Sequence, residues 1–110
     1  MTRYIADLND FNNTLNNQPD DKLLIVCFTA SWCGPCKRIM APVCEKVAES
    51  NSNVTIVKVD VDDCEEVASL NDISCMPTLH FIRNKQVVYR LEGADTDMFH
   101  KLVTDYSQNQ

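Results

Sequence analysis

The apolar positions of this chain follow two periods. Leu23-Leu24-Ile25-Val26-Cys27-Phe28 is an unbroken apolar run. Six residues is strand length, and apolarity on both faces predicts a central strand covered by helices on both sides. Val54-Thr55-Ile56-Val57-Lys58-Val59-Asp60 and Thr78-Leu79-His80-Phe81-Ile82 predict two more strands, and Gln86 to Leu91 predicts a fourth. Arg83-Asn84-Lys85, between the last two, suits a hairpin turn although it holds no glycine. Elsewhere the apolar residues recur at helical spacing. Leu8, Phe11 and Leu15 follow Asp7, which suits an N-cap. Ile39, Val43 and Val47 predict a helix from about Pro35 to Ser50, ended by Asn51-Ser52-Asn53. Cys64 to Leu70 reads as a short helix behind the Asp60–Asp63 turn. Met98, Leu102 and Val103 read as a C-terminal helix for which Asp95, Thr96 and Asp97 are all suitable caps.

With a short strand around Arg3–Ile5, the order is one strand, then αβαβα, then ββα. Strand–helix–strand alternation implies parallel pairs with right-handed crossovers, and the terminal hairpin adds an antiparallel edge. The expected class is α/β, a mixed central sheet of about five strands flanked by four helices. At 110 residues the chain is expected to form a single domain, residues 1–110.

Composition narrows the function classes. Apolar residues make up 45% and charged residues 24%, an ordinary globular mixture. No apolar run approaches the roughly 18 to 20 residues of a membrane span. The N-terminal residues show no h-region of a secretory signal. The formal net charge is −6, and the ten Lys and Arg form no cluster beyond Lys37-Arg38, which argues against nucleic acid and anionic membranes. Six cysteines and only two glycines are the unusual counts. Three disulfides would satisfy an even cysteine count, but a small stapled scaffold usually carries more cysteine and more glycine.

The chemistry concentrates in Trp32-Cys33-Gly34-Pro35-Cys36-Lys37, directly after the buried strand and opening a helix. A Cys-x-x-Cys alone is ambiguous between metal and redox use. A lone pair in a strand–helix setting reads as a redox dithiol. Cys33 falls at a helix N-terminus, where unpaired N–H groups and the dipole favour a thiolate, the nucleophilic form. Pro35 suits the first helical turn, Gly34 allows close backbone approach, and Cys36 lies one turn on, within reach of the Cys33 sulfur. A zinc site would need a second knuckle. Cys44, Cys64 and Cys75 supply none, and His80 and His100 stand at no metal spacing. His80 alternates with core residues and reads as half-exposed or internally satisfied. Cys44, on the helix after the dithiol, reads as a core thiol.

The hexapeptide, Asp21-Lys22-Leu23, Val59-Asp60-Val61-Asp62, Met76-Pro77-Thr78 and Gly93 together resemble the thioredoxin family over nearly the whole chain. Cys64, and Cys75 directly before Met76-Pro77, look like the animal cytosolic members in particular. The resemblance implies a thiol–disulfide oxidoreductase, an enzyme that reduces protein disulfides. Cys33 would attack the substrate disulfide and Cys36 would resolve the mixed disulfide. An NADPH-dependent thioredoxin reductase would recharge the pair. Pro77 matches the family's cis-proline, and an ordinary turn before a strand is the alternative for it. Trp32, Met76, Pro77, Gly93 and Ala94 would form the apolar docking surface for substrate. Cys64 and Cys75 are implied as regulatory thiols, and a thiolate at Cys64 is favoured if that position is exposed. The resemblance implies no bound cofactor, cytoplasmic location with the nucleus also open to it, and a monomer, with a homodimer through Cys75 as the other state.

Three positions depart from the family pattern. Cys27 stands where the family carries a buried Asp thought to serve proton transfer at the second cysteine. Asp20 and Asp21 precede the strand and cannot replace it. Resolution by Cys36 is then expected to be slower, or to rely on water and on Lys58, which matches the family's nearby lysine. The plain alternative is that Cys27 only packs, as a small buried thiol. Pro42 falls six residues after Cys36, where the family has five, so either a kink is shifted or a bulge absorbs one residue. Lys85 replaces a hairpin glycine, and a left-handed Asn84 is expected to serve instead. A second functional class follows from Cys27: a binding module or regulatory subunit of the same fold with weak redox activity.

Overall fold

Every residue of Leu23–Thr29 (β2) is buried, as a strand apolar on both faces requires. The computed structural model describes residues 2–108. Around β2 lie Arg3–Tyr4 (β1), Val54–Asp60 (β3), Thr78–Arg83 (β4) and Gln86–Glu92 (β5), in the sheet order β1-β3-β2-β4-β5. β1 and β2 both run parallel to β3, while β4 pairs antiparallel with β2 and β5. Leu8–Asn17 (α1), Ala41–Ser50 (α2), Glu65–Leu70 (α3) and Thr96–Ser107 (α4) cover the faces.

Strand side chains alternate between faces, and the core divides accordingly. Leu23, Ile25 and Cys27 pack with Met40, Cys44, Val47, Phe99 and Leu102 of α2 and α4 and the turn before α2. Leu24, Val26 and Phe28 pack on the other side with Ile5, Phe11 and Val67. The expected caps form: Asp7 accepts from Asp10 N at 2.8 Å, and Asp95, rather than Thr96 or Asp97, accepts from Met98 N at 3.0 Å. The third helix starts one residue later than expected, with Cys64 as its cap.

The predicted helix from Pro35 to Ser50 is not one uninterrupted α-helix. Cys36–Met40 form a π-turn, in which Ala41 N–H reaches back to the Cys36 carbonyl, before α2 begins. The residue in excess between Cys36 and Pro42 is therefore absorbed by a bulge, the second of the two expected outcomes.

The β4–β5 hairpin turns on two residues, both left-handed: Asn84 at φ 52° and Lys85 at φ 66°. A two-residue turn of this hand favours Asn-Gly, because a side chain at the second position is strained. Asn84 thus serves as expected, but Lys85 shares the cost. Lys85→Gly is expected to stabilise the fold by about 1 kcal/mol in urea unfolding. The exposed Lys85–Asp20 pair that it deletes, at 3.6 Å, is worth little. A less stable variant would refute this account.

Candidate functional site

The carboxyl end of β2 leads straight into the dithiol. Cys33 N–H bonds to the Ala30 carbonyl at 3.1 Å, closing the turn that carries Trp32 outward. Cys33 and Cys36 are joined as a disulfide with Cα atoms 5.3 Å apart. Cys36 N–H donates to Cys33 Sγ at 3.2 Å. That donor faces the sulfur on which negative charge develops when the pair is reduced, which favours a thiolate there. Both cysteines are largely shielded, Cys33 at 6% exposure and Cys36 at 2%. Ala30, Val61 and Met76 pack around them.

The rim is built from four loops. Trp32, 68% exposed, donates its indole N–H to Asp62 Oδ2 at 2.9 Å. Asp60 Oδ1 accepts from the Asp62 and Asp63 amides, so one aspartate shapes the turn that presents the next. The Met76–Pro77 bond is cis, as the family match implied and against the ordinary-turn alternative. Thr78 Oγ1 bonds to the Cys75 carbonyl at 2.7 Å just beyond it. Gly93, at φ 94°, donates its N–H to the Pro77 carbonyl at 2.8 Å. A side chain at Gly93 would have open space, so the glycine answers to its backbone angle and not to crowding. Ala94 follows it, partly buried against the α4 side of the core. At Gly34 a Cβ would lie 2.6 Å from an Arg38 guanidinium nitrogen, the end of an exposed and flexible side chain that can swing aside. Lys37, beside it, folds back to the Ser31 carbonyl at 3.0 Å.

The structure therefore brings Trp32, Cys33, Gly34, Pro35, Cys36, Met76, Pro77 and Gly93 to one end of the sheet. Cys27 and Lys58, the other two expected members, have partners of their own. Cys27 is 3% exposed and packs against Cys44; contact with the Cys27 thiol, then burial, pushes the Cys44 thiol well up, so it stays neutral. Lys58 pairs directly with Cys27 across the strands, but its Nζ goes to Glu45 Oε1 at 3.8 Å and over the Tyr4 ring at 4.6 Å. Hydrogen bonds from Thr2 are the main reason the Glu45 carboxyl titrates below its usual range.

The remaining thiols separate by burial. Cys64 was expected to be a favoured thiolate only if exposed, and it is buried, with its Sγ 3.3 Å from the Ile5 carbonyl. Burial, then Asp63 and Asp60, pushes its pKa up, which is the opposite of activation. Cys75 is exposed. The sequence reads Asp60–Asp63 as a turn and gives no sign of Asp62 as the partner of Trp32. Arg38 is also passed over, although the i, i+4 spacing to Gly34 predicts that contact.

Comparison with known proteins gives the same reading. The thioredoxin family model matches residues 3–105. The thioredoxin of Ictalurus punctatus is 43% identical over 108 residues, covering 96% of this chain and 99% of that one. The human thioredoxin is 38% identical over 105 residues, 96% and 98% of the two chains. The crystal structure of Fasciola hepatica thioredoxin superposes with a TM-score of 0.90 at 35% identity, covering 96% of this chain and 99% of that one. A redox-active Cys-x-x-Cys at the end of β2, a cis-proline loop closing over it, and relatives of this identity along nearly the whole chain place the protein in the thioredoxin family, as a thiol–disulfide oxidoreductase.

Proposed function

We propose that the protein is a general protein-disulfide reductase in which Cys33 is the nucleophile and Cys36 the resolving thiol. The Cys33 thiolate attacks one sulfur of a substrate disulfide, forms a mixed disulfide and releases the other sulfur as a thiolate. Cys36, deprotonated, then attacks Cys33 Sγ, forms the Cys33–Cys36 disulfide and releases the second substrate thiol. The substrate gains two electrons and the protein loses two. A flavin-dependent thioredoxin reductase returns them from NADPH. The observation that carries this reading is the hydrogen bond from Cys36 N–H to Cys33 Sγ, in a pair walled by Met76. Met76 packs beside the pair, and an extended substrate segment would pair with its backbone as an added strand. Trp32, Pro77, Gly93 and Ala94 supply the apolar surround.

Four free thiols, Cys27, Cys44, Cys64 and Cys75, support work in a reducing compartment, the cytoplasm. Cys75, the exposed one, is the thiol that links two copies on oxidation. A disulfide-linked dimer that persists in Cys75→Ser would remove that part of the reading. The central experiment is NADPH-coupled reduction of insulin with a thioredoxin reductase. Steady turnover is expected. Near-zero turnover with both active-site thiols free would move the function to partner binding.

A further inference from the structure

We infer that Arg90 is a positioning residue for substrate docking, holding the segment that presents Met76 and Pro77; this rests on the reductase reading above. Arg90 lies on the edge strand β5, paired across from His80 of β4. Its guanidinium reaches three segments at once. Nη1 donates to the Asn71 carbonyl at 3.0 Å and Nη2 to the Asp72 carbonyl at 2.7 Å. Nε donates to Glu92 Oε2 at 3.0 Å, which fixes the plane of the fork. Nη1 also stands 3.5 Å from His80 Nε2.

Asn71 and Asp72 follow directly on α3, and Asp72 is left-handed at φ 54°. From there to Pro77 the chain forms neither helix nor strand, so its shape depends on its anchors. Near α3 the amides of Asp72 and Ile73 bond back to Ser69 and Ala68. Near Pro77 the anchors are Thr78 Oγ1 on the Cys75 carbonyl and Gly93 N–H on the Pro77 carbonyl. β5 and the turn after it thus grip the segment at both ends, the guanidinium at its entrance and the Gly93 amide at its exit. Only arginine offers a planar fork of charged donors that spans two carbonyls and a carboxylate together. A lysine reaches one of them.

The consequence is selective. An extended protein substrate pairs with the Met76 backbone and needs it in one place. A small disulfide needs only the sulfur of Cys33. In Arg90→Gln, the KM for insulin is expected to rise about 3- to 10-fold while kcat changes by less than about twofold. The loss in kcat/KM on insulin is expected to exceed that on 2-hydroxyethyl disulfide by at least about threefold. Arg90→Lys is expected to recover part of the insulin loss. Glu92→Gln, which leaves the guanidinium but not its orienting carboxylate, is expected to lose in the same direction and by less, and it serves if Arg90→Gln folds poorly. Amide chemical shifts of residues 73–76 should move in these variants. An insulin KM within about twofold of wild type in both Gln variants overturns the inference and leaves the reductase reading intact. Equal losses on the two disulfides also overturn it, since they mark a general loss of structure. A wild type that reduces neither disulfide overturns both readings.

Discussion

Cys33→Ser is expected to lower insulin-disulfide reduction by at least about a thousandfold, with little change in fold. The reaction begins with a thiolate, and the site favours one at Cys33 through the Cys36 amide 3.2 Å from its sulfur and through its place at a helix start. A serine hydroxyl keeps its proton near neutral pH and cannot form the mixed disulfide. Cys36→Ser is expected to differ in kind. Attack by Cys33 survives, resolution fails, and a covalent complex with substrate accumulates that dithiothreitol releases. Burst-phase release of one substrate thiol per protein, followed by arrest, is the measurement that separates the two variants. If Cys36→Ser instead traps nothing and Cys33→Ser does, the assigned roles are reversed.

The second expectation concerns acid stability and rests on His80. The sequence left this residue either half-exposed or satisfied in place. The structure buries it at 4% exposure, its ring edge-on to Phe28 at 5.1 Å and its Nε2 facing the Arg90 guanidinium. Burial and then the Arg90 charge both disfavour the imidazolium, so its pKa is lowered from 6.5 to about 4. The unfolded chain therefore takes up the proton at a higher pH than the folded one. The stability tied to neutral His80 is whole above pH 6.5 and is lost as pH falls from there to about 4. Below that both states are protonated and the loss stops. The full loss is about 3 kcal/mol, a large share of a small domain's stability.

His80→Gln removes the titration and keeps a polar side chain beside Arg90. Urea unfolding of both proteins from pH 7.5 to 4 should show the wild type losing about 3 kcal/mol more than the variant. Asp10 and Glu45 titrate below their usual values because of Arg3 and of Thr2, so the stability they add also fades in acid, as pH falls below their ordinary range. Both proteins share those carboxylates, and the difference between the curves isolates the histidine. Parallel curves, or a His80 ring that titrates above pH 6 by NMR, would refute the assignment.

Much of this protein was legible along the chain because its signals are local. An unbroken apolar run marks the doubly covered β2, and caps such as Asp7 and Asp95 act within three residues of themselves. Cys33 and Cys36 are one helical turn apart, so their spacing alone brings them into bonding distance. The one-residue excess before Pro42 announced an irregularity, and the π-turn is the way the backbone absorbs it. The hairpin at Arg83-Asn84-Lys85 is legible too, but its length is not, since β4 runs on through Arg83 and leaves a two-residue turn.

What the tertiary structure alone decided is which distant groups meet. Whether Cys64 is exposed depends on the chain ahead of α1 that covers it, and burial leaves the condition for a favoured thiolate unmet. Lys58 had a family partner missing at Cys27, and only the packing of α2 against β3 supplied Glu45 in its place. Asp62 finds Trp32 across 30 residues because the parallel strands β2 and β3 end side by side, and Arg90, inside β5, finds Asn71 at the end of α3 across 19. Periodicity and spacing determined the elements and the reactive pair, since both act within a turn or two of backbone. The charge partners, the burial of His80 and Cys64 and the docking loop's anchors required the fold, because these contacts depend on proximity in space and leave no period in the sequence.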